Sequence, residues 1–244
     1  MSLLTPHFQF VKLLAKEKDM TLRNNVENTK IPGYSRKQEI FNSISHFLGV
    51  PFALFIIIFG ICMFSKDYIN SLMLFGYIVF GVSALAVYLI SSIYHITPKE
   101  SPKKKKLRIL DHCTIYLLIA GTYTPICFSL LEKNQTLGLG IFMLIFQWAG
   151  LIIGVILNAF FFQNKVGRVI SFILYIVMGW LALFCGAIFY VTIDVARLIL
   201  IGGIIYTVGS ILYACGHGWK WFHFIFHVFV LFGTIIQAIG VFLI

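Results

Sequence analysis

The sequence predicts an all-α integral membrane protein, a bundle of seven transmembrane helices with the N-terminus in the cytoplasm and the C-terminus extracellular. Three observations carry this. The chain of 244 residues is 59% hydrophobic and only 11% charged, more apolar surface than a soluble domain of this length can hide. Its apolar residues gather in runs long enough to span a bilayer, roughly 17–25 residues each. All but three of its 19 Lys and Arg (Lys66, Lys133 and Arg197) fall on one side of the loops those runs define.

Residues 1–33 read as a cytosolic tail, mobile as termini usually are. The tail carries Lys12, Lys16, Lys18, Arg23 and Lys30, and no long apolar core follows directly, so no signal peptide is visible. Phe8–Ala15 offers a short interfacial helix as the alternative. Residues 34–244 form the membrane domain. Its apolar segments are Ser43–Phe64, Ser71–Ile96, Leu110–Leu131, Gly138–Phe162, Ile170–Tyr190, Val195–Cys215 and Phe222–Ile244. Short polar breaks separate them, the weakest being the one between the fifth and sixth, marked only by Thr192, Asp194 and Arg197. Pro125 is expected to kink the third segment.

A net charge of +10 would suit a nucleic-acid binder, but its distribution points elsewhere. The cations sit in the tail up to Lys37, in the loop Lys99–Arg108, at Lys165 and Arg168, and at Lys220. By the positive-inside rule this side is cytoplasmic. Membrane lipids, not nucleic acid, are the expected partners, and the cell membrane the expected location. The run Lys103–Lys106 reads as solvated charge that sets topology and can touch anionic headgroups. The five cysteines show no CxxC spacing and lie in or at the ends of apolar segments, so they read as packing residues without a disulfide framework.

With this topology, polar groups from three segments reach one depth. His223 and His227 are four apart at the start of the seventh segment and share one helix face. They can grip one metal ion from one turn. His95 closes the second segment and offers a third nitrogen; Asp111 opens the third and offers an oxygen. Three protein ligands plus water are the usual make-up of a catalytic zinc site. Ionisable groups inside membrane spans usually face the bundle interior and mark function. Blander readings stay open for single residues: Asp111 as a helix-terminal acid, His95 as an interfacial group, and Ser91 bonding back to a carbonyl. His46, with Asn42 one turn earlier and Glu39 before it, faces either the cavity or the interface. His112 points about 100° away from Asp111, and His217 reads as solvated. Phe224 stands where HExxH would require Glu, so the pattern is not that of a zincin.

Several pieces together resemble the hemolysin III family, related to the progestin and adiponectin receptors. They are Glu39-Ile-Phe-Asn42-Ser-Ile-Ser-His46, Ser91-Ser-Ile-Tyr-His95, Leu110-Asp111-His-Cys-Thr-Ile-Tyr116 with Gly121-Thr-Tyr-Thr-Pro125, and His223-Phe-Ile-Phe-His227. The likeness runs from Tyr34 to Ile244. It implies a seven-helix fold with the N-terminus inside and a zinc ion held by His95, His223 and His227. It also implies that Asp111 holds the zinc through a water, with Ser91 nearby. Related receptor and ceramidase families suggest hydrolysis of lipid amides. In that role Asp111 is the general base and Ser91 orients water or stabilises the oxyanion. Hemolysin III members are also described as pore-forming. The alternatives are therefore a pore-forming hemolysin with structural zinc, or a lipid sensor without turnover.

Overall fold

The computed structural model describes residues 5–216 and 219–244, with side chains from residue 16 onward. Among the described residues it is all-helical, with no strand. His217, and the side chain of His7, lie outside what is described.

The tail contains helix α1, Thr5–Glu27. Its C-terminal half is tied down: the Asn25 amide donates to the carbonyls of Asn158 (3.1 Å) and Ala159 (2.6 Å). These are among the last carbonyls of helix α6, Leu137–Phe161, which lack partners within their own helix. A segment without regular structure then leads to Ser35.

Ser35 starts α2, Arg36–Phe47, through a capping box with Gln38. The chain breaks at Leu48 and resumes as α3, Gly49–Ser65. Pro51 explains the break, because its ring would clash with the carbonyl of Phe47 in a continuous helix. The pair α2–α3 makes one apolar stretch long enough to cross a membrane, as do α4 (Ser71–Ile96), α5 (Lys103–Leu131), α6 (Leu137–Phe161), α9 (Ile193–Cys215) and α10 (Phe222–Phe242). Helix α4 packs on α3 and α5, α5 on α6, and α9 on α10, with α10 also against α2. α5 stays one helix through Pro125, and Gly76 of α4 makes room for it. A Cβ on Gly76 would lie 3.0 Å from Pro125 Cα.

Two elements differ from expectation. Helix α5 begins at Lys103, so the lysine run is helical, and Lys104 within it is fully buried. The run is therefore not uniformly solvated. The fifth apolar segment is broken: α7 spans Lys165–Gly179, α8 only Leu181–Phe184, and a 3₁₀ turn covers Ala187–Phe189. Gly186 between them is left-handed at φ 71°, a conformation open to glycine without steric cost. Six stretches, not seven, are thus long and apolar enough to span a membrane among the described residues. The backbone groups freed by the break find partners. Gln147 donates to the Met178 carbonyl (2.8 Å), and the Tyr123 hydroxyl donates to that of Gly179 (2.7 Å) and accepts from Ala182 N–H (3.2 Å). Broken helices persist in a membrane only when neighbouring segments satisfy them in this way.

Candidate metal centre and cavity

His95, His223 and His227 come together although they belong to different parts of the chain. Each offers a ring nitrogen, and these nitrogens all lie within 4.8 Å of one another. All three residues are buried. His95 comes from the last turn of α4, and the other two from the first turns of α10, which rests against α2.

Two of the rings are oriented by partners on α2. His95 Nδ1 lies 2.6 Å from Glu39 Oε2. A carboxylate only accepts, so Nδ1 carries the proton and Nε2 is left with its lone pair. His227 Nδ1 lies 3.1 Å from the carbonyl of Asn42, another obligate acceptor, and 3.2 Å from Ser45 Oγ. Its Nε2 is freed in the same way. The Nε2 atoms of His95 and His223 face each other at 3.1 Å. The His223 ring is stacked against Tyr34, centroids 5.2 Å apart and planes 8° from parallel. Burial pushes the Tyr34 hydroxyl well above its ordinary pKa, so the tyrosine stays neutral there. Lys99 donates to the Tyr34 carbonyl and Lys220 to that of Gly33, which pins this segment over the centre.

Two imidazoles with outward Nδ1 protons and inward Nε2 lone pairs, beside a third whose Nε2 faces that of His95, suit a divalent metal of the zinc type. Metal-bound histidines commonly donate their other N–H to a carboxylate or backbone carbonyl in this fashion. The donor set therefore fits a zinc ion.

Asp111 lies outside this three-nitrogen group but lines the same cavity as His223, His227 and Ser91. Asp111 is buried and Ser91 fully so. The Ser91 hydroxyl has no hydrogen-bond partner of good geometry among the described residues, and faces the Asp111 carboxyl. His46 also lines the cavity, its ring centroid 3.7 Å from that of His227. Neither of its ring nitrogens has a partner among the described residues. Of the two positions open to it, His46 takes the cavity. His112, which also reaches the wall, turns its Nδ1 to the Arg108 carbonyl at 3.0 Å.

The cavity measures about 160 Å³. One water-sized probe needs only about 10–15 Å³, so the space exceeds what a single ion and its water require. It runs along α10 from His223 to Gln237, roughly 21 Å at 1.5 Å per residue. Beyond the histidines its wall is mainly apolar and aromatic: Leu118, Ile119, Phe172, Ile176, Trp180 and Val230 among others. Both α7 and α9 line it, yet these two helices make little direct contact with each other.

Spacing arguments set Glu39 and Asn42 with His46 at the cavity or the interface but gave them no part in holding His95 and His227, and they did not single out Lys104. Lys104 Nζ lies 3.1 Å from Glu39 Oε1 and donates to the carbonyls of Tyr94 (2.6 Å) and His95 (3.2 Å). The signals were present but faint. Glu39, Asn42 and His46 share one helix face, and Lys104 lies seven residues, nearly two turns, before Asp111.

The chain matches known proteins over this whole region. The family model described as Haemolysin-III related matches residues 34–238. The Hemolysin-3 homolog of Bacillus subtilis (strain 168) is 36% identical over 207 residues, 82% of this chain and 91% of that protein. Hemolysin-3 of Bacillus cereus is 37% identical over 204 residues, 81% of this chain and 87% of that protein. The matched span contains every residue of the histidine centre and of its α2 supports, and the chain belongs to the haemolysin-III related family of multi-pass membrane proteins.

Proposed function

We propose that this chain is a zinc-dependent hydrolase of lipid amide bonds, crossing the cell membrane seven times with its N-terminus in the cytoplasm. The observation that carries the reading is the union of three buried imidazole nitrogens with a long apolar cavity whose wall also holds a carboxyl and a free hydroxyl. His95, His223 and His227 would hold the zinc. When bound, zinc supplies a Lewis acid that lowers the pKa of water toward about 7 and polarises a carbonyl. Asp111 accepts the proton of the attacking water and returns it to the leaving amine. The Ser91 hydroxyl orients that water or donates to the developing oxyanion. The apolar wall receives an acyl chain, and the loosely packed side between α7 and α9 supports entry from the bilayer. The broken fifth segment, from Lys165 through Phe189, makes the seventh crossing.

The name of the relatives, Hemolysin-3, favours a second reading. There the chain permeabilises membranes and zinc only holds helices together. One comparison separates the two: ceramide hydrolysis and dye leakage from liposomes, measured side by side on wild type and Asp111→Asn. The hydrolase reading expects the variant to keep its metal and lose roughly 10²–10⁴-fold in hydrolysis. Leakage by wild type with no hydrolysis of any lipid amide tested would replace it with the pore.

A further inference from the structure

We infer that Lys104 and Glu39 are a positioning pair for His95, holding its ring so that Nε2 faces the metal position and thereby setting the metal affinity of the site. The inference rests on the zinc reading above.

Lys104 sits in a run of four lysines, yet its neighbours Lys103 and Lys106 are exposed while Lys104 is 0% exposed. Its ammonium reaches three oxygens at once: the Tyr94 carbonyl at 2.6 Å, the His95 carbonyl at 3.2 Å and Glu39 Oε1 at 3.1 Å. It also lies 4.4 Å from the centroid of the Tyr94 ring. The two carbonyls belong to the last turn of α4, where no intrahelical donor remains. The ammonium therefore closes the end of the helix that carries His95. The other Glu39 oxygen, Oε2, takes the His95 ring at 2.6 Å. One cation thus grips both the backbone of His95 and the carboxylate that grips its side chain.

Stability alone is a poor account of such a pair. Replacing two charges taken out of water by well-packed apolar residues of the same volume is often neutral or stabilising. What the charges add is direction. The carboxylate fixes the protonated nitrogen of His95 as Nδ1, leaving the Nε2 lone pair toward His223 and His227. The ammonium fixes which way the carboxylate points. Carboxylate–histidine pairs of this kind orient a ligand and raise its basicity, and their loss typically weakens metal binding roughly 10–100-fold.

The test is zinc titration of purified full-length protein against a chromophoric chelator, with thermal melting of the metal-free protein measured in parallel. Cobalt(II) spectra of the same proteins report the ligand geometry. The variants are Glu39→Gln, Lys104→Met and the double substitution. Each single variant should bind zinc roughly 10–100-fold more weakly, with altered cobalt bands. The double variant removes both charges, so the metal-free protein should recover melting temperature relative to Lys104→Met alone, while zinc affinity stays low. If the pair only braces the loop, stability changes but the chelator titration does not. Wild-type zinc affinity in the double variant therefore overturns the inference. Should that variant not fold, wild-type affinity and cobalt bands in Glu39→Gln, which keeps the side-chain shape, overturn it instead. Wild-type protein that takes up neither zinc nor cobalt overturns this inference and the zinc reading together.

Discussion

Three imidazoles buried in an apolar bundle need a reason to be there. Each brings polar nitrogens that cost free energy when left unpaired. In this protein the Nδ1 atoms of His95 and His227 are satisfied by Glu39 and the Asn42 carbonyl, so the remaining demand is directed inward. A metal that binds only the folded arrangement stabilises it, by about 4.1 kcal/mol when free metal exceeds the Kd a thousandfold. Replacing His223 and His227 by Ala should therefore abolish zinc retention and lower the melting temperature in zinc-containing buffer. In excess chelator the gap between variant and wild type should narrow. Unchanged metal content in the double variant, measured by elemental analysis, would remove the histidines from the ligand set.

At the scale of the helix, the most consequential feature is the interruption after Gly179. A continuous fifth helix would satisfy its own backbone. The broken one depends on side chains from elsewhere, above all the Tyr123 hydroxyl, which donates to the Gly179 carbonyl and accepts from Ala182 N–H. Tyr123→Phe keeps the ring and strands both backbone groups. The expected cost is about 1–3 kcal/mol, read as a lower melting temperature in detergent. A change near zero would mean that the hydroxyl does not hold the break. The α2 capping box is a second such joint. It starts the helix whose next turns present Glu39, Asn42 and Ser45 to the histidines. Ser35→Ala should cost about 0.5–2 kcal/mol and loosen zinc binding along with it, since both supports on α2 hang from that first turn.

At the scale of the molecule, the helices form a wall around one elongated cavity, with the histidine centre toward one end. The cationic loops lie on the side of the His95 and His223 helix ends, so that end should face the cytoplasm. A reporter active only in the cytoplasm, fused to either terminus, checks both the orientation and the odd number of crossings. Signal is expected from the N-terminal fusion and silence from the C-terminal one. Signal from both would mean an even number, with the broken α7–α8 region re-entering rather than crossing. The reverse pattern would place the centre at the outer leaflet.

The sequence by itself determined the helical class and most of the element boundaries. Ser71–Ile96 is read identically in both, because the apolar run ends sharply at Asn70 and Thr97. It also determined that His95, His223, His227, Asp111 and Ser91 belong in one region, since four-residue spacing and alternating topology suffice to bring helix ends to one level. Tertiary structure alone decided the rest. Whether Lys104 is a solvated charge or a buried partner of two carbonyls and a carboxylate depends on what packs over it, and its helical phase with Asp111 is too faint a signal to pick it out of a run of four lysines. The break in the fifth segment was hidden for a related reason. Its residues are apolar throughout, so hydropathy sees one run, while the decision to unwind lies with Gln147 and Tyr123 on other helices that satisfy the opened backbone. Periodicity reports which face of a helix is wet or dry; which partner waits on the dry face is set by long-range packing, and that packing is where the histidine supports and the cavity are made.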